Sequence, residues 1–235
     1  MRTFADAVLD RRAALWVCLA LIPLDALVLV LNALHLRALA GAGPAWLRDD
    51  IYSLSWDLGV GEWIEYFKSA VTAAAIGFCA YRLRAPMLAV LCGLNVWLVL
   101  DNSLSLHEQI GARIGHRFLG DFTLGLNRPR DLGELIGFAV VGGGFLALLA
   151  LTHRKATPHV RGMAALLGAT TVGAAVFGVG VDAFHSSPWA RGLEDLAAAV
   201  EDGGESIMLS LGCALALGCA FARRELVGSP ALATP

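Results

Sequence analysis

The chain has 235 residues, of which 57% are hydrophobic and only 16% are charged, and its mean hydropathy is +0.65. A soluble domain of this size needs more charge on its surface, so the composition indicates a membrane protein. The formal net charge of −2 excludes nucleic acid as a partner, because binding to nucleic acid requires a basic stripe.

Six apolar stretches are each long enough to cross about 30 Å of hydrocarbon as an α-helix. They lie at about 13–34, 60–81, 86–106, 132–152, 161–184 and 196–222. The polar segments between them are too short for a soluble domain. We therefore predict an all-α, polytopic membrane helix bundle. It forms a single transmembrane domain over residues 1–235, with outer loops at about 35–59 and 107–131.

The charged residues predict how the bundle is oriented. Six spans place both termini on one side, and ten of the basic residues lie on that side against seven on the other. Because basic residues are enriched in cytoplasmic loops, we expect cytoplasmic termini and a location in the bacterial cytoplasmic (inner) membrane. The acidic residues are distributed in the opposite way, since 16 of the 20 lie in outer loops or in the outer halves of helices.

Acidic and histidine side chains recur at the outer ends of five predicted spans. Carboxylates in such excess repel one another unless some are protonated or neutralised by a bound cation, and an ionised group at membrane depth is costly without a partner. Carboxylates together with imidazoles suit Zn, Fe or Mn. The predicted metal ligands are Glu65, Asp101, Glu108, Glu134, Asp182, His185, Glu201 and Glu205.

The third span ends with LVLDNSLSLHEQIG. There Asp101, Ser105 and Glu108 follow i, i+4, i+7 spacing, which predicts that they share one face of a continuous helix. His107 lies beside this face. We predict His107 and Ser105 as catalytic residues, with His107 acting either as a general base or as a further metal ligand.

The last two spans give the most specific prediction, which concerns the distance between their acidic and histidine side chains. Asp182 and His185 are spaced i, i+3, and Glu201 and Glu205 are spaced i, i+4. This is a loose relative of the Glu and Glu-x-x-His pattern by which helix bundles hold two metals. The short connection makes the two helices antiparallel neighbours. We expect a carboxylate oxygen of Glu201 or Glu205 to lie within about 6 Å of Asp182 or His185.

Two further ionisable residues lie deeper in the predicted spans. Lys68 is an in-span cation that we expect to pair with Glu65, three residues before it. Asp25 follows Pro23 in the first span and has two open interpretations, a polar residue at a kink or a step in a proton path.

The run L-x-x-D-N-S-x-x-x-H-E at residues 98–108 and the run E-D-x-x-E at residues 201–205 are similar to those of bacterial multi-pass membrane proteins of uncharacterised activity. A looser resemblance is to the ceramidase-type (CREST) membrane hydrolase superfamily, which uses Asp, Ser and three His around zinc. That resemblance implies such roles for Asp101, Ser105, His107 and His185. The paired C-terminal histidines of the superfamily have no counterpart here.

These observations favour an integral membrane metalloprotein with a carboxylate and histidine site near the outer membrane face. As an enzyme it would be a metal-dependent membrane hydrolase or oxidoreductase acting on a lipid-like substrate from the surrounding membrane lipids. Two alternatives stay open. One is a transporter or channel for protons or divalent cations, and the other is a non-catalytic subunit of a membrane complex. The sequence leaves the oligomeric state open.

Overall fold

The computed structural model describes residues 9–54, 56, 59–185, 187–190 and 192–222, apart from the side chains of Glu194 and Asp195. Within these ranges the chain forms helices and no strand, which confirms the all-α prediction. The helices are α1 Arg11–Leu39, α2 Val60–Leu83, α3 Pro86–Leu104, α4 Leu106–Ile114, α5 Pro129–His153, α6 Pro158–His185 and α7 Glu194–Phe221.

Five of these helices are long and apolar enough to cross a membrane, namely α1, α3, α5, α6 and α7. The second helix, α2, has 24 residues, a length that also spans the hydrocarbon layer. Its apolar character is lower because its first half contains Glu62, Glu65 and Lys68. Each of the six predicted spans thus coincides with one long helix.

The two ends of the bundle differ in chemistry. At one end α2, α3, α6 and α7 pack through a buried apolar core that includes Ile76, Leu88, Met163 and Leu167. The opposite end contains most of the carboxylates. Helices α2, α5 and α7 begin there, and helices α3 and α6 end there. We call these the core end and the acidic end. Helix α7 packs against α1, α2 and α6 and so lies centrally.

Helix α3 ends two residues before the predicted end of the third span, about 86–106. Helix α3 stops at Leu104, and Ser105 has left-handed backbone angles (φ 47°, ψ 45°), after which α4 begins at Leu106. The chain therefore changes direction between Asp101 and Glu108. Because of this break, Asp101, Ser105 and Glu108 do not lie on one face of a continuous helix.

The segment predicted only as the second outer loop contains α4 and a following π-helical turn, Gly115–Leu119. Helix α4 packs closely on α5, where Gly111 and Gly133 face each other. A Cβ at Gly133 would collide with the Gly111 carbonyl oxygen, so glycine is required for this approach. The contact holds α4 against the first turns of α5.

The first outer loop is shorter than predicted because α1 continues to Leu39. His35, near the end of α1, is 2% exposed, and its Nδ1 donates to the Leu47 carbonyl oxygen at 2.7 Å.

An apolar groove of about 340 Å³ lies between α1 and α2. It is lined by Leu21, Leu24, Ile51, Val60, Trp63, Ile64 and Phe67.

A buried ion pair ties three helices together. Lys68 in α2 has no exposed surface, and its Nζ donates to Asp25 Oδ1 in α1 at 3.0 Å. The same ammonium donates to the carbonyl and hydroxyl oxygens of Ser206 in α7, at 2.9 and 2.7 Å. Ser210 Oγ donates to Asp25 Oδ2 at 2.6 Å. All three ammonium protons are thereby used. The expected direct pairing of Lys68 with Glu65 is wrong, because Asp25 from another helix takes that position.

We expect Lys68→Met to destabilise the protein strongly, because it leaves the Asp25 carboxylate buried without its cation. Breaking one side of a buried pair costs about 3–5 kcal/mol, whereas replacing both partners is often close to neutral. The melting temperature in detergent should fall on the order of 10 °C. The double variant with Asp25→Asn should recover most of this loss. Lys155→Met, at an exposed position, is the matched control. A double variant no more stable than Lys68→Met contradicts the prediction.

Candidate functional site

Three predicted ligands meet at the acidic end. One ligand atom from each of Asp182, His185 and Glu201 lies within 4.8 Å of the other two. His185 Nδ1 donates to Glu201 Oε2 at 3.3 Å, which confirms the expected approach of α6 and α7. All three side chains are half-buried, so that an ion can reach them. We call this group the triad.

The local structure of α6 explains how the triad forms. Between the α-helical part and Asp182, residues Val176–Val181 form a π-helical segment, which changes the direction in which the following side chains project. Helices α6 and α7 also approach closely there. Gly204 packs on the Phe177 ring, and Gly178 lies against the Glu205 carboxylate, with no room for a Cβ at either glycine.

The geometry of the triad suits a transition metal. At metal–ligand distances of about 2.0–2.1 Å, two ligand atoms in a tetrahedral site lie about 3.3 Å apart. His185 Nδ1 and Glu201 Oε2 are 3.3 Å apart, and a metal would replace the proton of the hydrogen bond between them. Two carboxylates and one imidazole form a donor set that Zn, Fe or Mn accepts.

Glu205 and Glu65 lie outside the triad, on its membrane side. Glu205 is one turn further along α7 than Glu201, and Asn102 of α3 lies near its carboxylate. Glu65 of α2 lies near Ser206 and near the Lys68 ammonium. These two predicted ligands therefore connect the triad region with the buried Lys68 ammonium instead of joining the triad.

Asp101 contacts His107 and does not belong to the triad. Asp101 is 1% exposed, and its Oδ2 accepts a hydrogen bond from His107 Nδ1 at 3.2 Å. The His107 ring stacks on Phe138 of α5, with ring centroids 5.4 Å apart. Because Nδ1 donates to Asp101, Nε2 is the ring nitrogen left to accept a proton from another group.

Two more predicted ligands are paired with an arginine. Arg130 forms ion pairs with Glu108 of α4 and, at 2.7 Å, with Glu134 of its own helix. Its guanidinium therefore joins α4 to α5.

Ser105, predicted as catalytic, lies between α3 and α4. Its carbonyl oxygen accepts a hydrogen bond from the Gln109 N–H at 3.2 Å.

Comparison with known proteins places the chain in a family without assigning an activity. A family model described as a domain of unknown function (DUF8692) matches residues 13–219. The chain belongs to this family. Neither a curated protein nor a solved structure matches the chain. The matched DUF8692 region includes the triad, the buried Lys68 and the Asp101–His107 pair.

Sequence reasoning missed several polar partners. Ser206 and Ser210 are spaced i, i+4 and so share the face of α7 that meets Lys68, a signal that the sequence does contain. Arg130 and Glu134 have the same spacing, typical of an ion pair within a helix. The role of Asn102 toward Glu205 depends on tertiary packing alone and has no sequence signal.

The Asp101–His107 pair predicts a pH dependence of stability. Burial lowers the pKa of His107, but the hydrogen bond to Asp101 and the charges of Asp101, Glu134 and Glu108 outweigh burial, so that this pKa is raised from 6.5. The folded state therefore favours protonated His107. The resulting stabilisation is complete below the unfolded value of about 6.5 and is lost as the pH rises through the raised pKa.

We therefore expect His107→Gln to destabilise the protein more at about pH 5.5 than at about pH 8.5. The measurement is the difference in melting temperature between wild type and variant across this range. His116→Gln, an exposed histidine in the neighbouring turn, is the matched control and should show no such trend. A difference that is constant with pH, or larger at high pH, would refute the assignment of His107 as a protonated partner of Asp101.

Proposed function

We propose that this chain is an integral membrane metalloprotein of the bacterial inner membrane, with a divalent metal held by the triad near the periplasmic face. The observation that supports this most directly is the convergence of Asp182, His185 and Glu201 from two helices. The proposed metal is Zn, Fe or Mn. Bound there, it would neutralise carboxylates that otherwise repel one another.

The arrangement around the triad favours an enzyme, either a hydrolase or an oxidoreductase. Three protein ligands leave a coordination position for water or substrate, as in catalytic metal sites. Such a metal supplies an activated water or a polarised substrate oxygen. His107 is proposed as the group that accepts or returns a proton, because Asp101 fixes its ring and the site lies at the same end of the bundle. The proposed substrate is lipid-like.

A second candidate is a proton or cation path, and one observation favours it. A series of polar groups runs from the acidic end through Glu205 and Glu65 to Ser206 and the Lys68–Asp25 pair. Toward the core end this series meets the tightly packed apolar core. A path across the membrane would have to open that core, so a one-sided site is the better explanation.

Metal analysis tests the proposed function. Protein purified without chelator is expected to contain about one divalent metal per chain, as three protein ligands hold one ion at a site with an open position. His185→Asn and Glu201→Gln should each reduce this to below about 0.2 per chain, because two remaining ligands bind weakly. The measurement is elemental mass spectrometry of the purified protein together with its protein concentration.

The matched control is Glu108→Gln, which removes a carboxylate from the same end of the bundle. The structure pairs Glu108 with Arg130, so its loss should leave the metal content unchanged. Wild-type protein that contains less than about 0.2 metal ions per chain would contradict the proposed function. Equal metal loss in Glu108→Gln and Glu201→Gln would show nonspecific binding to the acidic end and would count against the triad.

A further inference from the structure

Helix α4 runs antiparallel along the first turns of α5. The His107 ring, near the start of α4, stacks on Phe138. A Cβ at Gly115, directly after α4, would meet the backbone of Pro129, the first residue of α5. The segment 116–127, which connects Gly115 back to α5, therefore begins and ends at the acidic end of that helix. We call this segment the outer tip.

The length of α5 sets the depth of the outer tip in the membrane. Residues 132–151 are apolar or glycine apart from Glu134, and these about 20 residues span about 30 Å, the thickness of the hydrocarbon layer. Lys155 follows at the core end, as expected of a residue at the membrane surface. Pro129 and both ends of the outer tip then lie in the headgroup layer, which is about 5–7 Å thick on each side of the membrane.

The outer tip exposes three large apolar side chains. Phe118, Phe122 and Leu124 are 78%, 59% and 73% exposed. The Phe122 N–H donates to the Leu119 carbonyl oxygen at 3.0 Å, so the turn between the two phenyl groups is ordered. Leu124 has left-handed backbone angles (φ 50°), which are unfavourable for a residue with a Cβ. An ordered segment that exposes apolar groups in this way is typical of a surface that contacts a membrane or a partner.

Two arginines accompany the apolar side chains. Arg113 and Arg117 are both exposed, and their i, i+4 spacing places them on one face. Neither forms an ion pair with another described residue, whereas the neighbouring Arg128 and Arg130 are paired with carboxylates. The only acidic residue between positions 109 and 130 is Asp121. The surface formed by this face and the outer tip therefore carries an excess of positive charge.

We propose that this surface binds an anionic phospholipid of the leaflet at the acidic end. The guanidinium groups of Arg113 and Arg117 bind the headgroup phosphate, because a guanidinium donates two parallel hydrogen bonds to phosphate oxygens. The phenyl groups of the outer tip lie against the upper parts of the acyl chains. Phosphate and apolar chains occur side by side only at this depth, which favours lipid over a soluble protein as the occupant. The surface requires no metal at the triad, so this proposal is independent of the proposed function.

Site-specific photocrosslinking of the full-length protein tests the proposal. Benzoylphenylalanine replaces Phe118 or, in a second preparation, Phe122, and the protein is placed in nanodiscs. These contain equal amounts of phosphatidylglycerol and phosphatidylcholine with identical acyl chains. After illumination, the crosslinked lipids are identified and quantified by mass spectrometry. Both positions are expected to crosslink phosphatidylglycerol at least about threefold more than phosphatidylcholine, because arginine near the membrane surface enriches anionic lipid.

A third position measures ordinary lipid contact. Phe67 is 65% exposed in the groove between α1 and α2, and the one cation beside it, Lys68, is buried in its pair with Asp25. Benzoylphenylalanine at Phe67 should therefore crosslink the two lipids equally. The ratio at this position is the reference for the outer tip.

Two double variants distinguish charge from packing. Arg113→Gln with Arg117→Gln should reduce the ratio at Phe122 to the reference value, because the positive charge is lost. Arg113→Lys with Arg117→Lys retains the charge and should retain most of the preference. Both arginines are exposed, so the melting temperature of each double variant should equal that of wild type. A higher salt concentration should reduce the preference in wild type.

A preference for phosphatidylglycerol that the glutamine pair abolishes and the lysine pair retains supports the proposal. Equal crosslinking of the two lipids by the outer tip of wild type overturns it, as does a ratio that the glutamine pair leaves unchanged. Crosslinks to protein in place of lipid, including a second copy of the chain, overturn it in favour of a protein interface. Absence of any crosslink overturns it as well, because the outer tip would then lie in water.

Discussion

The buried Lys68–Asp25 pair is the interaction on which the arrangement of the acidic end depends. An ammonium without exposed surface is stable in the membrane only if its protons are all accepted, and Asp25 and Ser206 accept them. These acceptors come from α1 and α7, so satisfying one charge fixes the positions of three helices. With α7 fixed against α2 at Ser206, the adjacent Glu205 and, more than one turn further toward the acidic end, Glu201 are positioned as well.

Helix α7 connects two regions of different polarity. Toward the core end it packs through Ala216 and Cys219 in the apolar core, and toward the acidic end it presents carboxylates. The charged side chains thus decrease in number with depth from the acidic end as far as Lys68 and Asp25. Such a gradient is expected of a site that takes its ligand from one side, because a translocation path needs polar groups on both sides of the membrane.

Most of the fold follows from the sequence, while the site follows only in part. Apolar length predicts the long helices, since each must cover the hydrocarbon layer. The i, i+3 pair Asp182 and His185 could be placed beside Glu201 because a short connection makes neighbouring helices antiparallel. The break at Ser105 was not predictable, because its left-handed backbone is fixed by the packing of α4 on α5 and not by its own preference. The i, i+4, i+7 spacing places Glu108 on the same face as Asp101 only if the helix continues through Ser105. The helix does not continue, so this placement of Glu108 was wrong.

Helix α5 is held at its two ends, and the most apolar stretch of it has no buried residue. At the acidic end α5 is fixed by the glycine contact with α4 and by Arg130, which reaches Glu108. At the core end the short connection 154–157 attaches it to α6. Between these points it touches α3, as where Phe145 meets Gly93, and within the described residues it makes few contacts with α6. Closing the gap would bury more apolar surface against protein, but in a membrane lipid chains solvate that surface equally well. The bilayer therefore removes the hydrophobic penalty that, in water, would act against leaving this apolar surface of α5 unpacked.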